Sequence, residues 1–143
     1  MSEGKQTSAG ARLRAAYSNR CIAMPGVFNA LVARMAERVG FEAIYLSGAA
    51  LSAAAGLPDI GLLSMSEFVE RVRVITAASS LPLLVDADTG FGGPLNVERA
   101  VREFERAGDP TDGSLGARSF PVLGWQKLEV VSVVSQRRFH LPQ

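Results

Sequence analysis

The sequence predicts an α/β protein with a parallel sheet, either a doubly wound sheet or part of a (β/α)8 barrel. Two observations carry this expectation. Between residues 11 and 108, short apolar runs alternate three times with longer segments of helical period. The last of those runs, PLLVDAD (82–88), is almost continuously apolar, as suits a parallel strand buried on both faces.

The first run is CIAM (21–24), stopped by Pro25-Gly26, and Cys21 is expected to be buried in it as a small apolar residue. Asn29 then caps a predicted helix, NALVARMAERV, with Leu31, Met35 and Val39 at i, i+4 and i+8 and Gly40 as its end. EAIYLSG (42–48) reads as the second strand, breaking at Ser47-Gly48. A 16-residue connection, 48–63, follows; βα loops usually have about 2–6 residues. In SMSEFVERVRVITAAS (64–79), Ser64 and Glu67 form a capping box, and Phe68, Val72 and Ile75 share a face. After the PLLVDAD strand, NVERAVREFERAG (96–108) turns Val97, Ala100, Val101 and Phe104 inward and ends on Gly108. There the rhythm stops. The next stretch is loop-like, KLEVVSVVS (127–135) could form a strand, and QRRFHLPQ is a polar ending.

Bulk properties narrow the partners. With 143 residues the chain suits one modest domain. Its 15 basic and 14 acidic residues are interspersed, giving +1, so no stripe or tail points to nucleic acid or a membrane surface. No apolar run approaches the ~20 residues of a bilayer span, and MSEGKQTSAGAR lacks the apolar centre of a signal peptide. One cysteine excludes an internal disulfide and fits a reducing compartment, so a cytoplasmic location is expected.

The strand ends place 25–26, 47–50 and 86–93 on one rim, where both candidate architectures bind ligands. Asp86 and Asp88, two apart on a strand, aim to the same side. Two neighbouring buried carboxylates are costly unless a cation offsets them, and hard oxygens suit Mg2+ or Mn2+. The plainer alternative has one aspartate capping the next turn and the other in solvent. A DxDx[TV] phosphatase motif fails because Gly90 takes the slot that Thr89 should fill. A dinucleotide fingerprint fails because GFGGPL ends on Leu95. A metal-dependent DxD glycosyltransferase stays open. Ser47-Gly48-Ala49 leaves a strand and offers backbone N–H groups to an oxyanion. Asp59 is either a turn former after Pro58 or part of a substrate loop. His140, beside Arg137 and Arg138, reads as surface, and Phe120 and Trp125 lack the spacing of a base-stacking platform.

Taken together, YLSGAA, GLPDIG, LPLLVDADTGFGG and NVERAVREFERAG resemble the isocitrate lyase and phosphoenolpyruvate mutase superfamily, most nearly its 2-methylisocitrate lyase branch. The resemblance covers about 11–108 and implies a partial (β/α)8 TIM-type barrel of about three βα units. On that basis 1–10 is a polar tail, 11–108 the N-terminal part of the barrel, and 109–143 a divergent, unrelated tail. The implied activity is Mg2+-dependent C–C cleavage beside an α-keto acid unit, as in 2-methylisocitrate to pyruvate and succinate. Phosphoenolpyruvate mutase, phosphonate or oxaloacetate chemistry of the same superfamily is the alternative. Substrates would be small α-keto or α-hydroxy di- or tricarboxylic acids. The resemblance implies metal-binding roles for Asp86 and Asp88, a carboxylate grip for Ser47, Gly48 and Ala49, and active-site roles for Tyr45 and Asp59. Ala49-Ala50 stands where many lyases carry more glycine.

The departures lie beyond Gly108. The family continues with a strand carrying a Glu-Asp pair and a mobile Lys-Lys/Arg-Cys-Gly-His loop whose cysteine is the general acid; neither is present here. Cys21 and His140 do not take those places. A truncated or frame-shifted product, inactive as a lyase, is therefore expected, with an unclosed sheet exposing inward residues such as Leu84. Full-length relatives form homo-oligomers; the resemblance leaves this chain's assembly open.

Overall fold

The computed structural model describes residues 9–108 and, by backbone alone, Val122–Leu123. Phe120, Trp125, His140 and the strand expected over 127–135 lie outside the described residues. A helix, α1 (Ala9–Tyr17), begins the described chain and buries Ala9 and Leu13. Two apolar contacts at i and i+4 are too few to announce a period in the sequence.

The expected first strand is nearly absent. Residues 21–24 run without ladder pairing, and the chain joins the sheet only at Gly26, which bridges Tyr45 in parallel. Val27 N–H donates to Tyr45 O at 2.7 Å, and Tyr45 N–H donates to Pro25 O at 3.0 Å. Pro25 has no N–H to extend the ladder backwards. Cys21 is consequently exposed, not buried, and Val27 occupies the core position instead.

Helix α2 (Ala30–Val39) has the expected ends: Asn29 Oδ1 accepts from Val32 N–H at 2.9 Å, and Gly40 closes it at φ 94°. Its apolar spacing misleads, however. Leu31, Met35 and Val39 are 67%, 56% and 74% exposed, while Ala33 and Ala36 face the core and α4. The close-packed face carries the small residues, and the larger three fall on the other side of the helix.

Strand β1 (Ile44–Leu46) leads straight into a short helix, α3 (Gly48–Ala54), so part of the long connection is helical. Helix α4 (Met65–Ala78) starts at the capping box of Ser64 and Glu67 and buries Phe68, Val72 and Ile75. Strand β2 (Leu83–Asp86) is buried throughout. Helix α5 (Pro94–Gly108) opens on proline, whose missing N–H costs nothing in a first turn. It buries Ala100, Phe104 and Ala107, with Val97 and Val101 half-buried. Strand β3 (Val122–Leu123) arises within a segment that reads as loop; two residues carry no period.

The three strands form one parallel sheet in the order β1-β2-β3. Tyr45 stands opposite Leu84 and Leu46 opposite Val85; beyond them Val85 pairs with Val122 and Asp86 with Leu123. The α/β class with a parallel sheet is as the sequence predicts. Ile44, Leu46, Leu83 and Val85 make the sheet side of the core, against Val72 and Ile75 of α4 and Phe104 of α5. Leu84, expected to be exposed, is buried at 8%. It lies on the central strand, directly beside Tyr45 in register. Among the described residues, no helix is long and apolar enough to cross a membrane.

Candidate functional site

Two adjacent parallel strands, β1 and β2, end side by side, and the site is built where they stop. Tyr45 and Asp86 are diagonal neighbours across this pair, because Tyr45 pairs with Leu84 and Asp86 lies two residues further on the same face. The Tyr45 hydroxyl donates to Asp86 Oδ2 at 3.0 Å. Gly48 N–H, in the first turn of α3, donates to the same oxygen at 3.4 Å, and Asp88 N–H donates to Oδ1 at 3.1 Å. Asp86 is 7% exposed, so its buried carboxylate accepts three donors in place of water.

Asp88 reaches the site by a route that strand alternation does not describe. Strand β2 ends at Asp86, and Asp88 sits in a turn at φ 51°, closed by Gly90 N–H donating to Ala87 O at 2.8 Å. Aspartate tolerates this left-handed conformation better than most residues. Phe91 follows at φ 61°, and its ring packs edge-on to Phe68 at 5.3 Å and near Phe104 at 6.1 Å. The loop bearing Asp88 is thereby tied to the core.

Asp86 and Asp88 both line a small cleft that opens to solvent, along with Asp59, Ser52, Gly48 and Phe68. Asp59 comes from the exposed connection after α3. Tyr45 contacts the cleft through Asp86. Ser47 Oγ accepts Ala50 N–H at 3.4 Å as the cap of α3, and its side chain also hydrogen-bonds the Tyr45 phenol, partly opposing the rise of that group. Ala49 is exposed and does not line the cleft. Sequence reasoning missed Ser52 and Phe68 as lining residues. Ser52 is the one polar residue in an alanine-rich run and stands one helical turn from Gly48, a signal that needs α3 to be recognised first.

Burial raises the Tyr45 phenol to about 12, with the Asp86 charge and the hydrogen bond to Asp86 adding to the effect. Tyr45 therefore stays a neutral donor across the physiological range. Among the described residues, no group of three His, Cys, Asp or Glu side chains could by itself hold a metal ion. What is present is a pair of carboxylates, of which Asp88's receives no hydrogen bond among the described residues. Mg2+ is commonly bound through one or two carboxylates, with water and substrate completing the shell, so this donor set fits it.

Residues 13–109 match the family model described as phosphoenolpyruvate phosphomutase. The chain is 54% identical over 87 residues to 2-methylisocitrate lyase of Aeropyrum pernix, covering 61% of this chain and 28% of that protein. It is 48% identical over 103 residues to 2-methylisocitrate lyase of Shewanella oneidensis, covering 71% and 35%. Among solved structures it resembles phosphonopyruvate hydrolase in complex with oxalate and Mg2+, with TM-score 0.68 and 43% identity over 71% of this chain and 36% of that one. It also resembles 2,3-dimethylmalate lyase, with TM-score 0.65 and 33% identity over 80% and 39%. The chain thus spans about a third of the length of the relatives it matches.

Proposed function

The chain belongs to the phosphoenolpyruvate phosphomutase family, and from that premise we propose that its cleft is part of a Mg2+-dependent C–C lyase site of 2-methylisocitrate lyase type. The substrate in this reading is 2-methylisocitrate, released as pyruvate and succinate. The observation that carries the proposal is the convergence of Asp59, Asp86 and Asp88 on one cleft, with Asp86 held by Tyr45 and Gly48. The described βα units are read as the opening part of a (β/α)8 barrel, in a cytoplasmic enzyme.

Asp86 and Asp88 would hold the ion. When bound, Mg2+ supplies a Lewis acid for the α-oxygen and carboxylate of the substrate and offsets the negative charge of an enolate. Tyr45 keeps the Asp86 carboxylate oriented and, staying protonated, does not serve as the base. Asp59 faces the cleft from a connection that can adjust to a substrate, and it is assigned to the reacting end. Gly48 contributes by having no side chain: a Cβ there would lie 3.4 Å from Phe68 Cζ and 3.6 Å from Asp86 Oδ2, narrowing the space between them. The general acid is another matter. No Cys-Gly-His loop occurs in these 143 residues, and loss of a general acid typically costs ~10²–10⁴-fold in rate. The proposal for this chain is therefore ligand binding without appreciable turnover.

The test pairs a calorimetric Mg2+ titration with an assay of pyruvate release from 2-methylisocitrate, for the wild-type chain and Asp86→Ala. Expected are Mg2+ binding by the wild type, its loss in the variant, and no pyruvate from either. Equal Mg2+ affinity in both would remove the metal role of Asp86. Pyruvate from the wild type alone would overturn the inactivity while supporting the lyase site. The match to phosphonopyruvate hydrolase favours C–P chemistry as the second reading, so phosphonopyruvate belongs in the same assay. Family membership removes the support for a glycosyltransferase.

A further inference from the structure

Ser52 lies one turn after Gly48 on α3 and shares its cleft-facing side. It is 3% exposed and lines the cleft with Asp59, Asp86 and Asp88. Its backbone carbonyl accepts from Ala55 N–H at 3.0 Å and Leu57 N–H at 2.9 Å, but its hydroxyl has no partner among the described residues. Helical serines commonly return the hydroxyl to the carbonyl one turn earlier. Thr76 does so in α4, bonding Val72 O at 2.9 Å, whereas Ser52 does not. Although the residue is buried, its hydroxyl is not among the buried polar atoms left without a partner, so it opens onto the cleft, where a ligand or water can meet it.

The chemistry of the wall narrows the choice. The lining side chains are carboxylates, which only accept when ionised, and the apolar Leu63 and Phe68. Among the described residues, Ser52 is the one lining side chain able to donate to an anion. Gly48 N–H is already directed at Asp86. We propose that the Ser52 hydroxyl donates a hydrogen bond to a carboxylate oxygen of the small acid bound with Mg2+, fixing the end of the ligand turned away from the ion. This inference rests on the Mg2+-dependent reading of the cleft. It adds a ligand-positioning residue that the sequence motifs do not mark.

The probe is oxalate, titrated calorimetrically into the full chain with saturating Mg2+, alongside Mg2+ alone. Ser52→Ala weakens oxalate binding by about tenfold, the effect of losing one hydrogen bond to a charged acceptor. Its Mg2+ affinity and far-ultraviolet dichroism stay as in the wild type. Ser52→Cys, nearly isosteric and a weak donor, shows a similar loss and guards against a local packing effect of alanine. Oxalate affinity equal to wild type in both variants would overturn the inference alone, as would a wild-type chain that binds Mg2+ but not oxalate. A wild-type chain that binds no Mg2+ would instead overturn the metal reading on which it rests.

Discussion

Replacing Gly90 with alanine tests whether the turn after β2 is what holds Asp88 in the cleft. Gly90 has φ 83°, and its N–H closes the turn on Ala87 O. A left-handed alanine costs about 1–2 kcal/mol on conformation alone. Space adds to this. A Cβ on Gly90 would lie well inside contact distance of Val97 Cγ2, 3.2 Å from Val97 Cβ and 3.4 Å from its Cα. Rotating the Val97 side chain clears the first contact, and the 3.2 Å approach to Cβ still asks Val97 to give by a few tenths of an ångström, while the Cα lies at ordinary contact distance. Overpacking of this kind costs about 1–3 kcal/mol, so Gly90→Ala should destabilise by about 2–5 kcal/mol in total. Gly56→Ala is the matched control: its φ is 72°, but a Cβ there meets nothing within 4 Å, so only the conformational ~1–2 kcal/mol applies. The assay is urea unfolding followed by far-ultraviolet dichroism, with Mg2+ affinity measured in parallel. Gly90→Ala should lose more stability than Gly56→Ala, and only Gly90→Ala should weaken Mg2+ binding. Adding Val97→Ala should recover part of the loss, because Cγ2 goes but Cβ remains. Equal destabilisation by the two glycine variants would refute the reasoning.

Two further outcomes follow from ionisation. Tyr17 and Tyr45 are the only tyrosines, so the absorbance difference between wild type and Tyr45→Phe isolates the Tyr45 phenol in an alkaline titration. Its midpoint should fall at about 12 instead of 10.0, and Asp86→Asn should lower it without returning it to 10.0, since burial persists. Because the folded state holds this proton more tightly, its contribution to stability is complete below the unfolded value of 10.0 and is lost as pH rises through about 12. A wild-type midpoint at 10.0 would contradict the burial of the phenol, and an Asp86→Asn midpoint equal to wild type would contradict the Asp86 contact. Glu105 on α5 is pushed above the ordinary glutamate range by burial, with Arg102 opposing. The sign is the same: stability declines as pH rises through the folded-state value, so Glu105→Gln should raise the urea midpoint at neutral pH. At a pH low enough to protonate glutamate, the variant and wild type should coincide; a gain that persists there would point to packing, not charge.

How far the sequence leads depends on which physical effect sets each element. Helix ends are legible because capping is local: Asn29, Gly40, Ser64 and Glu67 act within a turn of themselves. The buried β2 strand is legible because its hydrophobic run is continuous. The α2 face is not, since i, i+4, i+8 spacing finds a stripe without revealing that alanines allow the closer packing. Residues 21–24 fail as a strand for a similar reason; an apolar run states a preference, but pairing needs partners at the right height in the sheet. The spacing of Asp86 and Asp88 marks the pair in the sequence, yet alternation explains only Asp86. The route of Asp88 depends on a left-handed turn supported by Gly90 and by Phe91 packed between two other aromatic rings.

The same distinction explains why this site holds its shape at the strand ends. Sheet register, not loop conformation, sets Tyr45 beside Asp86: a slip of one residue along β2 would turn Asp86 to the face occupied by Leu83 and Val85 and break the hydrogen bond. That slip is opposed by the core itself, because it would also drive Leu83 and Val85 out of the cluster that contains Val72, Ile75 and Phe104. Hydrophobic burial on one side of β2 thus fixes the position of a charged group on the other. Asp88 lacks this support and relies on its turn, which is why substitutions at Gly90 should separate the two carboxylates functionally. If Asp86 is held by the sheet and Asp88 by the loop, a variant that disturbs only the loop should weaken Mg2+ binding while leaving the Tyr45 titration at about 12.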